Sequence, residues 1–438
     1  MSERYIASIE ISSSKIIAAV GKTRGDGNLD IIAIEQETDI EGIRYGIIKN
    51  LEETSMAVSR IFSRLEQRSA ISPRKIKSVV VGLAGLSLHN MEVETDLHLP
   101  EDTEITDEIL KRLKDQAIRA ADDTSLEVVD AVARNYKVGK TETTSPKGMV
   151  GNSITAIYDL IVCQPELKRN IKRTIEDKLH TEVSGFVVTA MATAHLILTT
   201  DEKRLGCMLV DFGAETTTVS IYKGGALRYY ATLPMGGRNI TRDITSLGVL
   251  DDHAEEIKRT SGNAIADPKI SSLLINGIKQ ADISNLVVAR CEEIVANVIE
   301  QIEYAGLKDS DLGAGIICIG GGARMQGLCD LLAQESDLTV RKGKLPQYVK
   351  IEDQKAGNME LIQVGSVLYA GATLSNVENL EMPKQEEMPP NGVLDFGDDK
   401  PEPPKPQKPK KGRDFFKKLG DRMAGFFGNP DEDDSDLL

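Results

Sequence analysis

One order of strands and helices occurs twice in this chain, and it limits the fold more than any other feature. The first 84 residues read as three short strands, "YIASIEIS", "KIIAAVGK" and "LDIIAIEQE", the last two separated by the turn-rich "TRGDGN". An amphipathic helix, "LEETSMAVSRIFSRLEQRS", and a β-branched strand, "SVVVGLA", follow. From Gly206 the three-strand order returns in "GCMLVDFG", "TTTVSIYKGG" and "ALRYYATLP", followed by helices and the strand "GIICIGGG". A long helix near "NLVVARCEEIVANVIEQIEYAG" places Val287, Cys291, Ile294, Val295, Val298 and Ile302 on one face. Two copies of one α/β unit predict two lobes with a cleft between them.

The first copy carries an insertion, 85–164. It reads as a small α+β subdomain: the strand "NMEVETDLHL", a helix from "TDEILKRLKDQAIRAA", a strand near "LEVVDAVARNYKVG", the loop "SPKGMVG" and the strand "ITAIYDLIVC". Pro165 suits the first position of a helix that returns the chain to the main body. The expected divisions are lobe one at 1–84 and 165–202, lobe two with its return helices at 203–378, a linker at 379–411, a terminal helix at 412–428 and an acidic tail at 429–438.

Chemistry concentrates at matching strand ends. Glu10 closes the first strand of the first copy and is followed by Ser12, Ser13, Ser14 and Lys15; Asp211 closes its counterpart and is followed by Gly213, Thr216 and Thr217. Small and hydroxyl residues in such turns let backbone N–H groups approach an anion. An acid from each side can hold a hydrated Mg2+, and Lys15 can neutralise a phosphate. Gly320, Gly321 and Gly322 end a strand where missing side chains leave room for a flat base or ribose. Taken singly, Glu10 is an edge-strand acid and the glycines a turn; their repeated order makes a nucleotide clamped between two lobes the better reading.

Composition narrows the partners. With 438 residues, 40% of them apolar, and a net charge of −15, the chain can bury large cores and lacks the basic surface that nucleic acid requires. Five scattered cysteines show no metal-ligand spacing and are expected as reduced core thiols; the five histidines show none either. No signal peptide and no apolar run of 18 residues is seen, so a cytoplasmic protein is expected.

The C-terminal part departs from this picture. Eight of the 16 prolines lie between Pro383 and Pro409, in the manner of an extended linker. Beyond it, Phe415, Phe416, Leu419, Met423, Phe426 and Phe427 fall on one helical face, with Arg413, Lys417, Lys418 and Arg422 around the other. From Lys400 to Gly428 nine Lys/Arg face three Asp/Glu, a local +6 in an acidic chain. An interfacial helix on anionic lipid is expected, with a protein groove as the alternative.

These stretches resemble the actin-like ATPase superfamily and, within it, the bacterial cell-division FtsA family. "IEISSSKIIAAVGK" resembles the first phosphate motif, "LVDFGAETTTVSIYKGGALRYYATLPMGGRNITRDI" the second, which includes Gly236, and "GIICIGGGARMQGL" the adenosine motif, which includes Arg324. "AEEIK" resembles the motif that offers Glu255 and Lys258 to the nucleoside. The resemblance implies duplicated RNase H-like βββαβα domains with an SHS2-type insertion, ATP and Mg2+ as ligands, and Glu10 and Asp211 on the metal through water. It implies filaments on the cytoplasmic face of the inner membrane at the division septum, tethering FtsZ through its C-terminal peptide and recruiting later divisome proteins. Arg290 and Glu293 match the start of a helix that receives that peptide. The pattern's usual Asp is here Glu10, its Gly is Ser12, and two further glycines are Ala214 and Glu215. Thr189 stands where relatives that hydrolyse ATP well keep a water-orienting acid or Gln, so weak or negligible turnover is expected. A pilus or secretion scaffold, or a small-molecule kinase of the same superfamily, is the alternative.

Overall fold

The computed structural model describes residues 3–23, 27–38, 40–121, 125–266, 274–275, 277–353, 361–374 and 378–383. The membrane-helix residues Phe415, Phe416, Leu419, Met423, Phe426 and Phe427, the acidic tail and nearly all of the expected linker lie outside them.

The first sheet has the order Glu182–Val188, Ser78–Leu83, Arg4–Ile11, Lys15–Thr23, Leu29–Thr38, Val349–Ile351. Its three N-terminal strands are antiparallel, while Ser78–Leu83 and Glu182–Val188 run parallel to Arg4–Ile11. Successive side chains on a strand point to opposite faces, and every residue from Ile6 to Ile11 is buried. This sheet is therefore covered on both sides, which explains why its strands read as continuous apolar runs. Helix Leu51–Glu66 starts at Asn50, whose Oδ1 accepts from the N–H groups of Glu52 and Glu53 at 3.1 Å each. It buries Val58, Ile61, Phe62 and Leu65.

The second sheet repeats five of the six strands of the first, without a counterpart of Val349–Ile351. Its order is Val340–Lys342, Ile316–Ile319, Cys207–Phe212, Thr217–Lys223, Ala226–Leu233, with the same parallel and antiparallel pairings. Helix Gln280–Tyr304 covers it, and all six residues of the expected apolar face are buried. Four of the cysteines are buried and Cys329 is half-buried; all five are free thiols.

The insertion forms its own sheet of Thr141–Thr143, Glu127–Val138, Val150–Cys163 and His89–Glu104, packed on helix Asp107–Ala120 around a separate core. A polar contact ties it to the second lobe, and bonds inside the insertion brace that contact. Asn90 accepts the Tyr230 N–H at 2.9 Å and donates to Asp159 at 2.9 Å. Asp159 is fully buried and takes two hydrogen bonds from Arg134. Pro165 opens helix Pro165–Lys172 as expected, and a π-helical turn, Arg173–Asp177, extends it.

Two expected boundaries shift. Lobe two was expected to hold 203–378, but Val349–Ile351 pairs with Leu29–Thr38, and helix Ile362–Leu374 buries Val364 and Leu368 in the core of the first lobe. The linker was expected from residue 379, but Asn379 is fully buried. Its side chain accepts from Ala7 N and donates to Ser78 Oγ and Ser184 Oγ. One amide thus joins three strands of the first sheet, so the folded body continues past it, with Leu380–Glu381 pairing to Lys75–Ile76.

Candidate functional site

Each lobe contributes a strand-end loop. In the first, Glu10 is buried at the end of Arg4–Ile11, and the turn after it is closed by Ser12, whose N–H and hydroxyl both donate to the Lys15 carbonyl at 3.0 and 2.8 Å. Ser13 is buried and its hydroxyl accepts the Gly46 N–H at 2.9 Å; Ser14 and Lys15 are half-buried. Of the three serines, Ser12 and Ser13 shape the loop through their hydroxyls.

In the second lobe, the Gly213 N–H donates to Thr216 O at 2.9 Å, and Gly237 N and Arg238 N donate to the carbonyls of Gly213 and Ala214 at 3.0 and 2.7 Å. A Cβ on Gly236 would lie 2.6 Å from Gly213 O, so only glycine allows the two turns to stack. Thr217 is buried and its hydroxyl donates to Met235 O at 2.8 Å, while Thr216 is half-buried beside it. The glycine triplet has a different reason than expected. A Cβ on Gly320 would stand 2.3 Å from an Asp211 oxygen and one on Gly322 2.8 Å from Phe212 Cβ, whereas Gly321 opens onto space and Arg324 is exposed.

Glu255 and Lys258 form a pair on helix Asp251–Ser261. Lys258 donates to Gly237 O at 3.1 Å, Thr241 Oγ1 at 2.9 Å and Glu255 Oε2, so it pins the start of helix Gly237–Thr245. Burial holds its ammonium below the usual lysine range despite the carboxylate beside it. Burial also opposes ionisation of Glu255, but the hydrogen bonds from Lys258 and Thr241 prevail and keep its carboxyl below the usual range. All these bonds fall on Oε2, leaving Oε1 as an acceptor for a ribose hydroxyl.

The lobes meet through residues to which the sequence gave no role. Gln363, on the returning helix of the first lobe, donates through Nε2 to both oxygens of Asp211 at 3.1 and 3.2 Å. Glu215, one of the motif departures, is buried and accepts the Tyr45 N–H of the first lobe at 2.7 Å. Thr189 begins helix Thr189–Ile197; its hydroxyl is buried without a hydrogen-bond partner, and a Cβ on Gly82, the register partner of Glu10, would come within 2.7 Å of it. Arg290, expected to meet a partner, is bound to Asp243 at 2.7 and 3.1 Å and also to Glu293.

Two glycine-built loops, a free carboxylate acceptor and an acid at the end of each central strand fit a nucleotide carrying a hydrated cation. Among the described residues no group of three or more potential ligands forms a cage for a bare metal ion. Two sheets of one strand order facing such a site define an actin-like ATPase fold. A solved structure described as the PilM-PilN type IV pilus biogenesis complex shares it, with a TM-score of 0.60 at 15% identity, covering 83% of this chain and 97% of that one. Residues 208–361 match the model of the cell division protein FtsA, and residues 85–162 that of the SHS2 domain inserted in FtsA. The FtsA of Porphyromonas gingivalis is 31% identical over 329 residues, covering 73% of this chain and 68% of that protein. The FtsA of Pseudomonas aeruginosa is 27% identical over 381 residues, covering 84% and 89%. This chain belongs to the FtsA family of bacterial cell-division proteins.

Proposed function

We propose that the protein binds ATP between its lobes, assembles into filaments on the inner face of the cytoplasmic membrane, and anchors FtsZ filaments there at the septum, where later divisome proteins join. The observation that carries the nucleotide reading is the pair of loops stacked at Gly213 and Gly236, next to Asp211 and the open acceptor of Glu255. In this reading Lys15, Ser14 and Thr216 would meet phosphates, Glu10 and Asp211 would hold the waters of Mg2+, and Glu255 would receive the ribose. Bound Mg2+ would neutralise phosphate charge.

Chemistry beyond binding has little support. Thr189 offers a hydroxyl and no carboxylate, and general-base assistance contributes roughly 10²- to 10⁴-fold where it exists. Turnover is therefore slow, and ATP acts as a switch by its binding. Membrane attachment rests on the Phe face and basic flank of 412–428, where many weak anchors on one filament add up to firm binding. No helix among the described residues is long and apolar enough to cross a membrane. Capture of the acidic FtsZ tail rests on Arg290 and Glu293, and Asp243 already competes for that arginine.

A fluorescent-ATP titration of the full chain tests the reading. Wild type is expected to bind, and Asp211→Ala to lose affinity and filament assembly together. Phosphate release within seconds in a single turnover would contradict the account of Thr189.

A further inference from the structure

Resting on the ATP reading, we infer that Gln363 is a specificity residue: it fixes Asp211 as a ligand that acts through water and so selects Mg2+ over larger cations such as Ca2+. The geometry carries this. One nitrogen, Nε2 of Gln363, lies 3.1 Å from Oδ1 and 3.2 Å from Oδ2 of Asp211. A donor equidistant from both oxygens occupies the bisector of the carboxylate, which is where a cation chelated by both oxygens would sit.

Mg2+ keeps several of its waters and meets carboxylates sparingly, whereas Ca2+ favours direct and often bidentate carboxylate ligation. With the chelating position held by an amide, approach to both Asp211 oxygens at once is closed to a bare cation, whereas a hydrated ion needs no such approach. The amide is well placed to hold. Gln363 is only 7% exposed and belongs to helix Ile362–Leu374, which is seated on the first lobe by Val364, Val367 and Leu368. Ser8 donates to Val364 O at 3.2 Å, fixing the same turn of that helix to the strand that ends near Glu10. Gly320 makes room for the Asp211 carboxylate beside the amide, since a Cβ there would lie 2.3 Å from Oδ1.

The test is ATP affinity of the full chain measured in Mg2+ and in Ca2+, for wild type, Gln363→Met, Asp211→Asn and the double variant. Methionine keeps the packing volume and removes the donor. Wild type is expected to prefer Mg2+, and Gln363→Met to narrow that preference about tenfold, the scale of one hydrogen bond to a charged group. In the Asp211→Asn background the methionine change should have no further effect, which a merely structural role would not produce. Gln363→Asn, one methylene short of Asp211, is read in the same way should the methionine variant fold poorly. An unchanged Mg2+/Ca2+ ratio in a folded variant, or an equal effect without Asp211, would overturn the inference while leaving ATP binding standing. A wild type that binds no ATP would overturn both.

Discussion

The backbone N–H of Tyr45, in the first lobe, donates to the carboxylate of Glu215, in the turn after strand Cys207–Phe212 of the second, at 2.7 Å. The next residue, Gly46, donates to Ser13 at 2.9 Å, so a two-residue turn links both loops of the candidate site. Tyr45 and Gly46 both have positive φ, and a Cβ on Gly46 would lie 2.7 Å from Gly85, where the insertion begins. Arg44, Arg238 and Arg242 surround the Glu215 carboxylate at 3.3, 3.1 and 3.7 Å. A buried acid in place of a small residue is thus fully compensated, and it holds the lobes together.

Glu215→Ala should therefore separate the lobes and cost about 2 kcal/mol, the scale of a lost charged hydrogen bond. Thermal melting reads the cost and small-angle scattering the opening. Glu215→Gln, which keeps an acceptor for Tyr45 but not the charge, should fall between. A folded alanine variant with unchanged melting and scattering would contradict the link.

Asn379 gives a prediction about where the chain can be cut. Ending the chain at 383 should leave the melting temperature as it is, because the bonds of Asn379 and the pairing of Leu380–Glu381 survive. Ending it at 378 removes a buried amide that serves three strands, and should lower stability by about 3 kcal/mol. Equal melting of the two truncations would return the boundary to 379.

Much of this fold was legible because buried strands and helices write their periods plainly. The residues of Arg4–Ile11 form an apolar run, and the face from Val287 to Ile302 repeats at helical spacing. Val349–Ile351 was not legible, since a three-residue edge strand containing a lysine has no period to read. Asn379 sits in a polar stretch that reads as linker, and only tertiary contacts reveal its burial. Glu215 and Gln363 were missed for a related reason: each departs from its local pattern, and its partner lies more than 100 residues away. Thr217 opens strand Thr217–Lys223 and its hydroxyl is taken up by Met235 O, whereas Thr216 stands in the turn before the strand, so the two threonines do not share one role.

Acid should weaken the Glu255 pair in a defined direction. The folded carboxyl titrates below its ordinary value of 4.5, so its contribution is complete above that pH and is lost as pH falls through the lowered value. Its side chain is 43% exposed, which keeps the contribution below about 1 kcal/mol. Chemical denaturation of wild type and Glu255→Gln should give a constant difference at neutral pH that closes as the pH falls below 4.5. A difference that widens in acid would contradict the assignment.

For the FtsZ peptide, Arg290→Glu alone is a poor probe, because it sets a third acid beside Asp243 and Glu293. Exchanging the charges, Arg290→Asp with Asp243→Arg, keeps the internal pair. Peptide affinity should fall about tenfold if Arg290 itself meets the peptide, the scale of a charged hydrogen bond. Unchanged affinity in a fluorescence titration would remove Arg290 from the interface.

The central claim, a membrane anchor for FtsZ, is tested most directly by vesicle sedimentation of FtsZ filaments with ATP and anionic lipid. The full chain should carry FtsZ into the vesicle pellet, and Phe415→Glu with Phe427→Glu, or a chain ending at 411, should leave it in the supernatant while still binding ATP and FtsZ in solution. FtsZ that stays in the supernatant with the full chain, or that pellets equally well with the chain ending at 411, would contradict the account.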